Sequence, residues 1–108
     1  MNRREEIAYN YLNSIYDGYK KSEIRPMTYG DSNEVLYSYE KDEDKAFEYD
    51  WVNAVIKIKN SDYHTIRNMF ELDAYQILKI YKQFVFNKIG DERILNPNTP
   101  FELILFRG

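Results

Sequence analysis

The sequence predicts an α+β domain, mostly α, with three to four helices beside a small two- or three-stranded antiparallel sheet at about 34–40 and 101–106. Three features carry this expectation. Apolar residues recur on a 3.6-residue period near the N-terminus and again after Asp73, as helices with one buried face require. Residues 34–40 alternate and are rich in strand formers. After a proline-containing turn the chain ends in a short, strongly apolar segment that can fold back as an edge strand beside residues 35–39. At 108 residues the chain has the size of a single domain, 1–108, which removes roughly 65% of its unfolded surface from water.

Taken in order, Ala8, Tyr11, Leu12, Ile15, Tyr16 and Tyr19 form one face of a first helix over about 4–21. Glu5 and Glu6 in its first turn and Lys20 and Lys21 in its last suit the helix dipole. Pro26 and Gly30 then break the chain. Val35, Tyr37 and Tyr39 line one side of a strand, with Ser38 and Glu40 on the other. The next segment reads two ways: Phe47, Tyr49 and Trp51 alternate as in a strand, while Phe47, Trp51, Ala54, Val55 and Ile58 make a helical stripe. The helix accounts for more residues and turns Asp42, Glu43 and Asp44 into an acidic N-terminal cap region. A helix over about 44–59 is therefore expected, with residues 46–58 as a hairpin the alternative.

Ser61 can cap a short helix running to about Phe70. Asp73 opens the best-defined helix: Asp73 and Gln76 have the spacing of a capping box, Leu72 and Ile77 stand at the two positions of a hydrophobic staple, and Gly90 supplies the stop. Ile77, Leu78, Tyr81, Phe84 and Val85 give this helix a wide apolar stripe, which makes it the organiser of the core. Asn96-Pro97-Asn98-Thr99-Pro100 is a turn or linker, 96–100, leading to the terminal segment.

Composition removes several chemistries by inventory. There is no Cys, so no disulfide framework, zinc ribbon or thiol nucleophile; the single His64 lacks a marked nucleophile turn around it and reads as a structural residue. The four glycines at 18, 30, 90 and 108 form neither a P-loop nor a dinucleotide fingerprint. No catalytic, cofactor-binding or metal-binding set emerges, and the expectation is a non-enzyme with no cofactor. A net charge of −3 without a basic block argues against nucleic acid as the main partner. The polar N-terminus and the lack of an 18-residue uncharged stretch point to a cytoplasmic chain that does not engage membranes. Eleven Tyr, six Phe and one Trp are an aromatic excess that suits half-buried cores and interfaces alike. Tyr, Asn, Ile and Lys are written with AT-rich codons, as in a low-GC bacterium, phage or plasmid.

Two segments invite an interaction reading. The turn Phe70-Glu71-Leu72-Asp73 sits between two helices, as in a helix-turn-helix whose second helix presents Tyr75, Gln76, Lys79, Lys82 and Gln83. The terminal segment Glu102-Leu103-Ile104-Leu105-Phe106 resembles the short peptide with which bacterial replication and repair proteins dock into their DNA sliding clamp. In that pattern a Gln stands where this chain has Glu102. The resemblance implies a protein partner for Phe101, Glu102, Leu103, Leu105 and Phe106, the candidate binding residues. Leaving these side chains in water forfeits roughly 1.5 to 3 kcal/mol for each large apolar residue, so either a partner or the chain's own sheet covers them. The leading expectation is a non-catalytic protein-binding module, a small adaptor, assembly factor or inhibitor encoded by a phage or mobile element. Alternatives are a weak helix-turn-helix DNA-binding regulator, a sliding-clamp-binding accessory protein, and a phage structural or tail-assembly accessory protein. An uncovered sheet edge also offers a route to a homodimer.

Overall fold

The computed structural model describes residues 1–24, 36–41 and 44–107. Their order is α1 (Arg3–Ile15), β1 (Lys20–Ile24), β2 (Leu36–Lys41), β3 (Asp44–Asp50), β4 (Val55–Lys59), α2 (Asn60–Phe70), α3 (Ala74–Ile89), a short 3-10 helix (Glu92–Leu95) and β5 (Glu102–Phe106). The class is α+β with helix outweighing strand, as the periodicities imply. The sheet has five strands in sequence order, antiparallel from β1 to β4, and β5 joins β4 in parallel. It is therefore mixed rather than wholly antiparallel.

Local chemistry explains the helix ends. Asn2 accepts the Glu5 amide through Oδ1 at 2.9 Å and donates its own N–H to Glu5 Oε1 at 3.1 Å, a capping box that starts α1. The helix ends at Ile15, earlier than the apolar periodicity predicts, with Tyr16 as its C-cap, and Lys20 and Lys21 belong to β1 instead of its last turn. α3 matches its expected bounds: Asp73 and Gln76 exchange capping bonds of 2.8 and 3.0 Å, and Gly90 closes the helix at φ 79°. α2 begins at Asn60 directly after β4, capped by Lys59 without a side-chain bond, so Ser61 is not its cap.

The expected helix over 44–59 is instead a hairpin. Phe47 pairs with Ile58 and Tyr49 with Ile56, all four fully buried, whereas Glu48 and Lys57 pair on the opposite face 3.7 Å apart. That alternation needs a period of two. Asp50 accepts the Asn53 amide at 3.4 Å and Ala54 adopts φ 49°, turning the chain at residues 51–54. Of the acidic run, Asp42 and Glu43 lie outside the described residues and Asp44 begins β3, so no helix is capped there.

Phe47, Tyr49, Ile56 and Ile58 share one sheet face, and the helices pack on it. Ala8 and Leu12 of α1, Ile66 of α2, and Ile77, Ile80, Tyr81, Phe84 and Val85 of α3 complete the core, with Ile94 of the 3-10 helix. Tyr16 lies at its centre, with ring centroids 5.4 Å from Phe84 and 5.9 Å from Phe47. The Tyr16 hydroxyl donates to Asp62 Oδ2 at 2.8 Å, and the Tyr81 hydroxyl lies 2.8 Å from the Tyr16 oxygen. Since the Tyr16 proton is committed to the carboxylate, Tyr81 donates to Tyr16. Burial, then the neighbouring Tyr81 and Asp62, push the Tyr16 phenol far above its ordinary value, and burial does the same to Tyr81. Glu5 is buried as well, and its Oε2 lies 3.4 Å from Lys79 Nζ, tying α1 to α3.

Candidate protein-docking surface

The surface begins where α3 ends. After Gly90, Asp91 caps the 3-10 helix by accepting the Arg93 amide at 3.1 Å. The Arg93 side chain closes onto the same carboxylate, with Nε 2.9 Å from Oδ1 and Nη2 2.7 Å from Oδ2. Tyr49 adds a longer bond of 3.3 Å to Oδ2. These bonds, the side-chain contact with Arg93 first, hold the Asp91 carboxyl below the usual carboxylate range. The chain then turns through Asn96: its carbonyl accepts the Thr99 amide at 3.1 Å and its Oδ1 accepts the Asn98 amide at 2.9 Å. This double bond to one Asn fixes the direction in which Pro100 and Phe101 enter β5.

Those turns assemble a cluster of cations and tilted rings. The Arg93 guanidinium lies 4.4 Å over Trp51, Trp51 is 6.2 Å from Phe101, and Lys82 Nζ sits 5.1 Å from the centre of the Phe101 ring. Tyr49 braces Phe101 from the core at 5.8 Å. The two cations are not equivalent. Arg93 is neutralised by Asp91, whereas Lys82 has no acidic partner among the described residues and burial pushes its pKa down. A partly desolvated ammonium over a ring face gains from a carboxylate brought beside it.

Beside this array lies an open groove of about 570 Å³ between α3 and the segment leading into β5, lined in part by Tyr75, Leu78, Lys82, Leu95, Pro100 and Phe101. Tyr75 is 74% exposed, the extreme among the large apolar side chains of the described residues. Pro97 and Pro100 give one wall a fixed backbone with no N–H to satisfy. Phe101 supplies both the end of the groove and the start of β5, so groove and sheet edge are continuous.

The five residues singled out from the sequence separate here. Phe101 and Leu103 pack against the core, Glu102 and Leu105 are exposed, and Phe106 is half-buried. The terminal segment is a strand as expected, but it pairs with β4, from Val55↔Glu102 to Lys59↔Phe106, rather than beside residues 35–39. β2 already has a neighbour on each side, β1 and β3, whereas β4 offers an open edge and the apolar side chains Ile56 and Ile58.

Leu95 and Arg93 were not marked by sequence pattern, and Trp51 was marked only as a core position of the segment 46–58. The hairpin alternative for residues 46–58, with Phe47, Tyr49 and Trp51 alternating, is the reading that brings Trp51 to the hairpin end. Tyr75, Lys79, Lys82 and Gln83 were legible as one face of α3, and that face lines the groove. The buried stripe of α3, Ile77, Ile80, Tyr81, Phe84 and Val85, belongs to the core instead. His64 is exposed, edge-on to Tyr63 at 5.4 Å. Among the described residues no three His, Asp or Glu side chains gather as a metal site would need, and no helix is long and apolar enough to cross a membrane. Comparison with protein-family models, curated proteins and solved structures returns no match.

Proposed function

We propose that this chain is a non-catalytic protein-binding module, an adaptor, assembly factor or inhibitor, that docks its partner in the groove between α3 and the approach to β5. The observation that carries the reading is Lys82, a half-buried cation over the Phe101 ring with no acidic partner among the described residues, at the rim of a largely apolar groove. An apolar segment bearing a carboxylate answers both the groove and the charge. The sliding-clamp reading, in contrast, asks β5 to leave the sheet and uncover Ile56 and Ile58, while docking in the groove asks nothing to move. The AT-rich residue usage supports an origin in a phage or mobile element.

The test is capture from the native host by cross-linking. The wild-type chain is expected to retain a specific partner that Lys82→Glu and Tyr75→Ala both lose. The Tyr75→Ala loss should be on the order of 2 kcal/mol, roughly thirtyfold in affinity, as for an aromatic anchor. Circular dichroism of both variants checks that the fold persists. Capture of the same proteins by wild type and both variants overturns the groove reading.

A further inference from the structure

The two edges of the sheet are chemically unlike. β1 carries Lys20, Lys21 and Glu23, the charged composition with which a solvent-facing edge avoids pairing. β5 carries Leu103, Ile104, Leu105 and Phe106 in succession, with no Lys, no Pro and no bulge in its ladder with β4. Ile104 and Leu105 are 37% and 39% exposed, and no described strand pairs beyond β5. An apolar edge of this kind is a template for strand addition unless something covers it.

The phase of the backbone says what fits. Glu102 donates its N–H to the Ala54 carbonyl at 2.8 Å, so the N–H and C=O groups of Glu102, Ile104 and Phe106 face β4. Those of Leu103 and Leu105 then point away. This outward set is symmetric about Ile104. We infer that β5 pairs antiparallel with β5 of a second copy of this chain, across a two-fold axis at Ile104.

In that register Leu103 stands opposite Leu105 of the copy, and the two symmetry-related pairs exchange two backbone bonds each, about four in all. Centring on Leu103 or Leu105 instead makes about two, and centring between residues opposes outward groups with inward ones. Side-chain parity also agrees. Leu103 and Leu105 share the face of Ile56 and Ile58 and extend the core side across the axis, while Ile104 meets its own copy on the other face. No like charges are opposed along the strand, since Glu102 faces Phe106 of the copy. The result is one continuous sheet through both copies, which buries the exposed Ile104 and Leu105.

The inference is independent of the groove, and Lys82→Glu is expected to leave the dimer unchanged. Sedimentation equilibrium of the full chain should give twice 13.1 kDa. Ile104→Arg and Ile104→Glu, each placing like charges on the axis, should run at 13.1 kDa alone and return to the doubled mass when mixed. Amide exchange gives a second readout: Leu103 and Leu105 are protected together with Phe106 in the wild type, and lose protection in Ile104→Arg while Phe106 keeps it. If Ile104→Arg does not fold, Leu105→Pro replaces it, because it removes an outward N–H and none that faces β4. A wild type at 13.1 kDa at every concentration, a dimer that survives these variants, or a mixture that stays monomeric overturns the proposal.

Discussion

Tyr16, Asp62 and Tyr81 place two hydroxyls and a carboxylate at the junction of all three helices. Both phenols are pushed above their ordinary value near pH 10, chiefly by burial. The unfolded chain therefore releases these protons at a lower pH than the folded one. The stability they contribute is whole below about pH 10 and is lost as pH rises from there toward the folded values. Tyr16→Phe is expected to cost about 1 to 2 kcal/mol at neutral pH, by taking the donor from Asp62, yet to flatten the loss of stability above about pH 10. Urea unfolding across that range measures it, and an unchanged alkaline slope refutes it. The sequence announced an excess of tyrosines whose hydroxyls want a partner. It did not single out Tyr16, because Asp62 and Tyr81 reach it only through the packing of two later helices.

At the scale of elements, the helix ends written in local chemistry were legible and the choice between strand and helix was not. Asp73, Gln76 and Gly90 identify α3 because caps involve residues a few positions apart. The segment 44–59 offered both periods, and the sheet decided. Only in a strand do Phe47 and Tyr49 face Ile58 and Ile56 while Glu48 stays with Lys57. The direction of β5 was equally hidden, since it depends on where α2 and α3 return the chain. Two caps make opposite predictions. A Cβ on Gly90 would meet nothing within 4 Å, so Gly90→Ala should cost only its left-handed backbone, roughly 1 to 2 kcal/mol. Glu71 ends α2 in the same region at φ 53°, and Glu71→Gly should be neutral to stabilising by up to about 1 kcal/mol. Thermal or urea unfolding reads both, and a destabilising Glu71→Gly shows that its side chain matters more than its backbone.

For the whole molecule, one sheet and one helical layer place the groove and the β5 edge side by side, with Phe101 common to both. Pairing about Ile104 would set the two copies of Phe101 about 20 Å apart along the strands and keep both helical layers on one face. Two grooves would then address one partner surface, a route to avidity without new contacts. The parallel register of β4 with β5 has a kinetic consequence as well. β1 to β4 can zip as successive antiparallel neighbours, but β5 reaches β4 only after α2 and α3 have bridged the gap, the non-local closure that slows folding. β5 should therefore dock after the transition state. In the Ile104→Arg background, Leu103→Ala is expected to speed unfolding, roughly tenfold for each 1.4 kcal/mol lost, and to leave the folding rate nearly unchanged. Stopped-flow measurements in urea decide it, and a slowed folding limb would put β5 in the nucleus. Until that last strand arrives, Val55, Ile56 and Ile58 lie along an unpaired edge, so the interval before closure is when this chain is most exposed to aggregation.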